Sequence, residues 1–216
     1  MTEHPEIRDA IQSKNCLYNI FIMDVIKNGQ NEDFKYYTDT LPTDLSEFPE
    51  FCSQEELELM AGSPLQSKIE TTLQIKKHDF DLLARSVPGF EQFTFEEYLR
   101  AGILIQSRIA SIYKDDKPTN VIMPYFDMLN HQNPVNTNCR FNKAENGMEI
   151  VAFGMIKQGH EVFNTYGENG DAHIFLIHYG FYDPTQKIKI DLDLSLSESS
   201  KFYDLKLKIL KDEKPK

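Results

Sequence analysis

Residues 121–131 read VIMPYFDMLNH, and three polar side chains, Asp127, Asn130 and His131, close a run that is otherwise almost wholly apolar. Such a run is expected to enter the core. A buried polar group left unpaired costs about 1–3 kcal/mol, so each of these side chains needs a partner in the protein or in a ligand. Finding those partners decides what the second half of the chain is for.

N-terminal to this stretch the pattern is helical. Ile7, Ala10, Ile11, Leu17, Ile20, Phe21 and Val25 recur at three- and four-residue spacing, which predicts one amphipathic helix, bent near Lys14-Asn15 and stopped at Gly29. Ser53-Gln54-Glu55-Glu56 has the form of a capping box, and Ser63-Pro64 places a proline suited to a first helical position, so helices are expected from Gln54 and Pro64. Thr94-Phe95-Glu96-Glu97 repeats the capping box. The stripe Phe95, Leu99, Gly102, Ile105, Ile109 and Ile112 then predicts a fourth helix ending near Tyr113.

Beyond residue 115 the signals change to short strands over Val121–Met123, Asn138–Phe141, Met148–Phe153 and Glu161–Tyr166, separated by Asn, Gly and Pro clusters. Asp171 is placed to cap a short helix through AHIFLIHY that Gly180 ends, and one more helix with a charged end fits the residues after Ser195. The fold class expected is α+β.

Composition narrows the function. Hydrophobic content of 40% and charged content of 26% suit a folded chain, and 216 residues can bury one substantial core or one core plus a smaller lobe. No apolar run approaches the roughly 18 residues of a membrane helix, and MTEHPEIRDAIQ lacks the regions of a signal peptide. A cytoplasmic address, extending to the nucleus, is therefore expected, with no membrane partner. A net charge of −11 disfavours direct nucleic-acid binding and favours a basic partner. Cys16, Cys52 and Cys139 lie too far apart for a metal or redox motif and are read as reduced thiols.

Asp127 and His131 could join His160, His173 or His178 at a metal, but no zinc-type ligand spacing is present. A serine hydrolase lacks its nucleophile elbow, and no glycine-rich phosphate loop occurs. The polar residues that remain are Asp127, Asn130, His131, Asn136, Asn138, the Tyr166-Gly167 pair that closes EVFNTYG, and Tyr179-Gly180-Phe181 in HYGF.

PYFDMLNH followed by Asn136, then Lys157-Gln158-Gly159, EVFNTYG and HYGF resembles, in that order, the C-terminal half of a SET domain. More closely it is similar to the branch containing the Rubisco large-subunit lysine methyltransferase and the actin-histidine methyltransferase, whose SET domain is split by a helical insertion. The helical half resembles that insertion, and Ser107-Arg108 matches the point where it returns to the SET core. The resemblance covers roughly residues 15 to 183.

What the resemblance implies is transfer of a methyl group from S-adenosyl-L-methionine to a lysine or histidine of a protein substrate. Tyr166 would be the catalytic tyrosine, a positioned dipole at the methyl-transfer centre. Asn130 and His131 would lie beside the cofactor, with Asp127 orienting the same loop from within. Tyr179, Gly180 and Phe181 would pack on the adenine and line the target channel, and Arg108 would stand near cofactor and substrate. The organisation implied is a helical lobe over 1–112, a SET C-terminal half over 113–183 and a tail over 184–216, where a substrate-binding lobe would start.

Two departures set the alternative. No glycine precedes Gly29, so the glycine-containing turn that cups the methionine end of the cofactor in this family has no match here, and weak cofactor binding is expected. Asp171 stands where the family has a cofactor-contacting asparagine. A SET-like scaffold or fragment that has lost cofactor binding is the alternative reading.

Overall fold

A computed structural model describes residues 9–29, 32–114, 117–145, 147–167, 172–187 and 197–212. Seven α-helices and four strands are described: α1 (Cys16–Asn28), α2 (Glu32–Thr38), α3 (Gln54–Leu59), α4 (Pro64–Ser86), α5 (Phe95–Arg108), β1 (Ile109–Lys114), β2 (Lys117–Ile122), β3 (Thr137–Asn142), β4 (Gly147–Ala152), α6 (Ala172–Tyr179) and α7 (Tyr203–Asp212). Five of these helices precede the four short strands and two follow them, a segregation that fits an α+β fold.

Local chemistry explains where several helices start or stop. Ser53 and Thr94 form reciprocal capping boxes with Glu56 and Glu97, and Ser63 caps α4 just ahead of Pro64. Gly29 ends α1 at φ 58°, a left-handed conformation that suits a residue without a Cβ. The expected continuous helix from Ile7 is broken. Ile7 lies outside the described residues, Asp9 and Ala10 are helical, and the chain leaves the helix before Cys16. The reason is Asp79 of α4, whose carboxylate draws in the amides of Gln12 and Ser13 at 2.9 and 2.7 Å.

The fourth predicted helix is also shorter than its apolar spacing suggests. α5 ends at Arg108, and Ile109–Lys114 runs instead as β1, antiparallel to β2, with Ile109 opposite Ile122 and Lys114 opposite Lys117. β-branched Ile109 and Ile112 suit either state, and the hairpin partner decides. β3 and β4 pair antiparallel from Thr137–Ala152 to Asn142–Gly147, near the expected positions.

The Glu161–Tyr166 segment is not a ladder strand. Its one bridge joins Asn164 to His131, and side chains meet the backbone groups of Glu161, Phe163 and Tyr166. Asn136 Oδ1 accepts from the Phe163 amide at 2.8 Å, and the Thr137 hydroxyl donates to the Phe163 carbonyl at 2.5 Å.

The core forms where α1, α4 and α5 meet. Tyr98, Ile103 and Leu83 have no exposed surface, and Ile22 and Ile105 are nearly as buried. Full burial of each large apolar side chain stabilises by about 1.5–3 kcal/mol, so α5 is the best-anchored element of the chain. Because β1 continues from its last turn, Arg108 is held at a fixed place on the edge of that core. Gln106 Nε2 donates to the Ile177 carbonyl at 2.8 Å, tying α6 to the same helix.

Candidate active site

The 121–131 segment forms a short 3-10 turn over Phe126–Met128 and then runs to the bridge at His131. Its three polar residues fare differently. The Asp127 and His131 side chains are buried, at 2% and 4% exposure. Asn130, expected in the core, is exposed, and its amide donates to Glu161 Oε1 at 2.6 Å while its carbonyl takes the Asn164 amide at 2.9 Å.

His131 bonds through both ring nitrogens. Nδ1 accepts from the Tyr166 amide at 3.0 Å, which leaves Nε2 as the nitrogen that donates, to Asp183 Oδ2 at 3.0 Å. Burial pushes the Asp183 carboxyl up, but hydrogen bonds from Gln186, Thr185 and His131 outweigh it and hold the group well below the usual carboxylate range. The imidazole is thereby fixed in tautomer and in plane.

Asp127 is the second hub. Its Oδ2 accepts the Tyr37 hydroxyl and lies 3.5 Å from Arg108 Nη1, which also donates to the Asp127 carbonyl at 3.1 Å. Two buried atoms of this pair, Asp127 Oδ1 and Arg108 Nε, have no hydrogen-bond partner among the described residues.

Around these hubs stands an aromatic cluster. Tyr166 packs on Tyr179 with ring centres 4.5 Å apart, and His131 lies 4.8 Å from Phe175 and 6.1 Å from Phe181. Gly180 ends α6 at φ 75°, and a Cβ there would meet the Phe48 ring at 3.1 Å, so the approach of Phe48 requires glycine. The Tyr166 hydroxyl donates to the Leu129 carbonyl at 2.7 Å, which leaves the phenol oxygen able to accept from another group. Burial raises the Tyr166 pKa, partly offset by the Arg108 charge, so the phenol keeps its proton at neutral pH.

Two cavities, of about 640 and 510 Å³, share Ser107, Arg108, Asp127, Tyr166 and Tyr179 in their linings. The larger continues between β1 and β3. The smaller is bounded by Asn130, His131 and Phe181 on one side and by residues 42–48 of the helical half on the other.

No protein-family model matches the chain. Among solved structures, the SET domain of LSMT bound to lysine and AdoHcy aligns with a TM-score of 0.68 at 20% identity, over 97% of this chain and 50% of that one. Rubisco LSMT bound to sinefungin and monomethyllysine aligns at 0.63 and 20% identity, over 98% and 49%. The fold is that of a SET domain.

Curated relatives are methyltransferases by name. The ribosomal lysine N-methyltransferase set10 of Schizosaccharomyces pombe is 28% identical over 159 residues, covering 68% of this chain and 29% of its own. The actin-histidine N-methyltransferase of Mus musculus is 26% identical over 192 residues, 83% of this chain and 32% of its own. The chain thus spans about a third of the length of these relatives.

Within the SET fold, Arg108, Asp127, Asn130, His131, Tyr166, Tyr179 and Phe181 all border the smaller cavity, and Gly180 sits directly behind it against Phe48. Asp171 lies outside the described residues. Asn136 and Asn138 do not join that lining; Asn136 braces the Phe163 backbone, and Asn138 borders the larger cavity. Sequence reasoning missed Tyr37, Glu161, Phe175 and Asp183. Only Asp183 carried a readable signal, since Asp-Pro-Thr favours the turn in which its carboxylate takes the Thr185 amide at 2.9 Å. Among the described residues no three His, Cys, Asp or Glu side chains gather as a metal site, and no helix is long and apolar enough to cross a membrane.

Proposed function

We propose that this chain forms the core of a SET-type protein methyltransferase that uses S-adenosyl-L-methionine to methylate a lysine or histidine of a protein substrate. The observation that carries the reading is the meeting of two cavities at one wall of Arg108, Asp127, Tyr166 and Tyr179. A two-substrate transfer needs such an arrangement, because each reactant must reach the same point from its own side. The relatives that resemble the chain in sequence are lysine and histidine methyltransferases by name.

The smaller cavity suits the cofactor chemically. Phe181 and Tyr179 offer apolar faces to a purine, while the exposed Asn130 side chain offers a polar contact. When bound, S-adenosylmethionine supplies a methyl group carried on positively charged sulfur. The protein's part is orientation. The Tyr166 oxygen, its proton committed to Leu129, accepts an N–H of the incoming amine or imidazole and aims the nitrogen lone pair. His131, locked between the Tyr166 amide and Asp183, holds the tyrosine's backbone in register with the cavity wall.

The net charge of −11 favours a basic segment as the substrate region. Calorimetric titration with S-adenosylhomocysteine tests the cofactor assignment. Saturable one-to-one binding, weakened about tenfold by Phe181→Ala, is expected, since an aromatic face lost from a pocket is worth more than 1 kcal/mol. Absence of saturation at millimolar ligand, or indifference to Phe181→Ala, would favour the non-catalytic scaffold.

A further inference from the structure

Asp127 sits in the shared wall of the two cavities, and the group that holds its carboxylate comes from outside the segments that carry the SET motifs. The Tyr37 hydroxyl, at the end of α2, donates to Asp127 Oδ2 across 90 residues of sequence. The competing partner for the same oxygen, Arg108 Nη1, is farther away at 3.5 Å, and Oδ1 has no partner among the described residues. Tyr37 is therefore the closest donor the carboxylate has.

Tyr37 is itself firmly placed. It is 8% exposed, its ring meets Phe34 edge-on at 6.3 Å, and its carbonyl accepts both the amide and the hydroxyl of Thr40, at 3.0 and 2.6 Å. Phe34 in turn meets Phe21 of α1 at 5.2 Å. A contiguous packed path thus runs from the helical core through Phe34 and Tyr37 to Asp127 and Arg108.

We propose that Tyr37 is a positioning residue of the site: its hydroxyl sets the Asp127 carboxylate, and through it Arg108 and the 126–131 segment, so that the helical half fixes the wall between the cavities. The inference rests on the methyltransferase reading for its functional consequence and on the geometry alone for the coupling. A hydrogen bond to a charged, buried group is among the stronger ones, and its loss loosens whatever the group holds in place.

The test compares the parent with Tyr37→Phe, Asp127→Asn and the double variant by amide hydrogen exchange and by S-adenosylhomocysteine titration. Tyr37→Phe is expected to speed exchange across 123–131 while leaving 95–105 of α5 unchanged. It should also raise the dissociation constant about tenfold, the effect of losing one charge-assisted hydrogen bond. The double variant should bind no more weakly than Asp127→Asn alone, because both changes break one contact. A purely structural role for Tyr37 would make the two effects multiply. Exchange over 123–131 that is the same in parent and Tyr37→Phe would overturn the proposal. If the parent itself does not bind the ligand, the methyltransferase reading fails and exchange alone decides the coupling.

Discussion

The backbone amide of Tyr166 donates to Nδ1 of His131 at 3.0 Å, joining two motif segments that are 35 residues apart. A side-chain nitrogen does here what a ladder carbonyl does in a regular sheet. The join places the Tyr166 ring 5.3 Å from the imidazole and aims its hydroxyl at Leu129, two residues before the histidine.

Removing only the phenol oxygen should separate chemistry from folding. Tyr166→Phe is expected to keep the fold, lowering stability only by about 0.5–1.5 kcal/mol for the lost bond to Leu129, and to lower the methyl-transfer rate by an amount equivalent to about 2.7–4 kcal/mol, the typical loss for one positioned polar group. Single-turnover methylation of a peptide substrate measures it. A variant as fast as the parent would take Tyr166 out of the mechanism.

Acid should act on the site through Asp183. Its folded-state pKa is depressed, so its stabilising contribution is complete above the unfolded carboxyl value of about 3.9 and fades as pH falls through the folded value. Asp183→Asn should melt at lower temperature than the parent at neutral pH, and the gap should narrow below about pH 4. Thermal melts across that range decide the matter, and a gap of constant size would exclude the ionised carboxylate as the cause.

Gly180 faces two demands at once, a left-handed φ of 75° and a Phe48 ring 3.1 Å from where a Cβ would stand. Gly180→Ala should destabilise by about 1–2 kcal/mol from the backbone alone, with the ring clash adding to it. A Gly180→Ala, Phe48→Leu double variant should recover the clash component. Denaturant midpoints with unchanged slope would register both changes.

Lys76 and Glu50 form an ion pair at 3.0 Å with side chains 8% and 2% exposed, and the second Glu50 oxygen has no partner among the described residues. Lys76→Met strands a buried carboxylate and should lower stability by about 3–5 kcal/mol, whereas Lys76→Met with Glu50→Leu should regain most of it. Urea unfolding of the two variants distinguishes a pair that stabilises from one whose halves merely need each other.

The sequence by itself determined where α3, α4 and α5 begin. Ser53, Ser63 and Thr94 cap α3, α4 and α5 through bonds that reach only three residues along the chain. Gly29 and Gly180 end α1 and α6 for equally local reasons. Arg108, Asp127, Asn130, His131, Tyr166, Tyr179 and Phe181, all motif residues, border the smaller cavity.

Tertiary structure decided the rest. Ile109–Lys114 had helical spacing and became a strand because β2 lay alongside it. Glu161–Tyr166 had the residues of a strand, yet Asn136, Thr137 and His131 side chains meet its backbone groups in place of a ladder. Tyr37, 90 residues from Asp127, could be assigned to the site only once α2 was seen against the loop. Caps and turns are legible because both partners lie within a few residues of each other. The contacts that hold Asp127 and His131 join distant parts of the chain, and only the packing of the helical core on the β-rich half brings those partners within bonding distance.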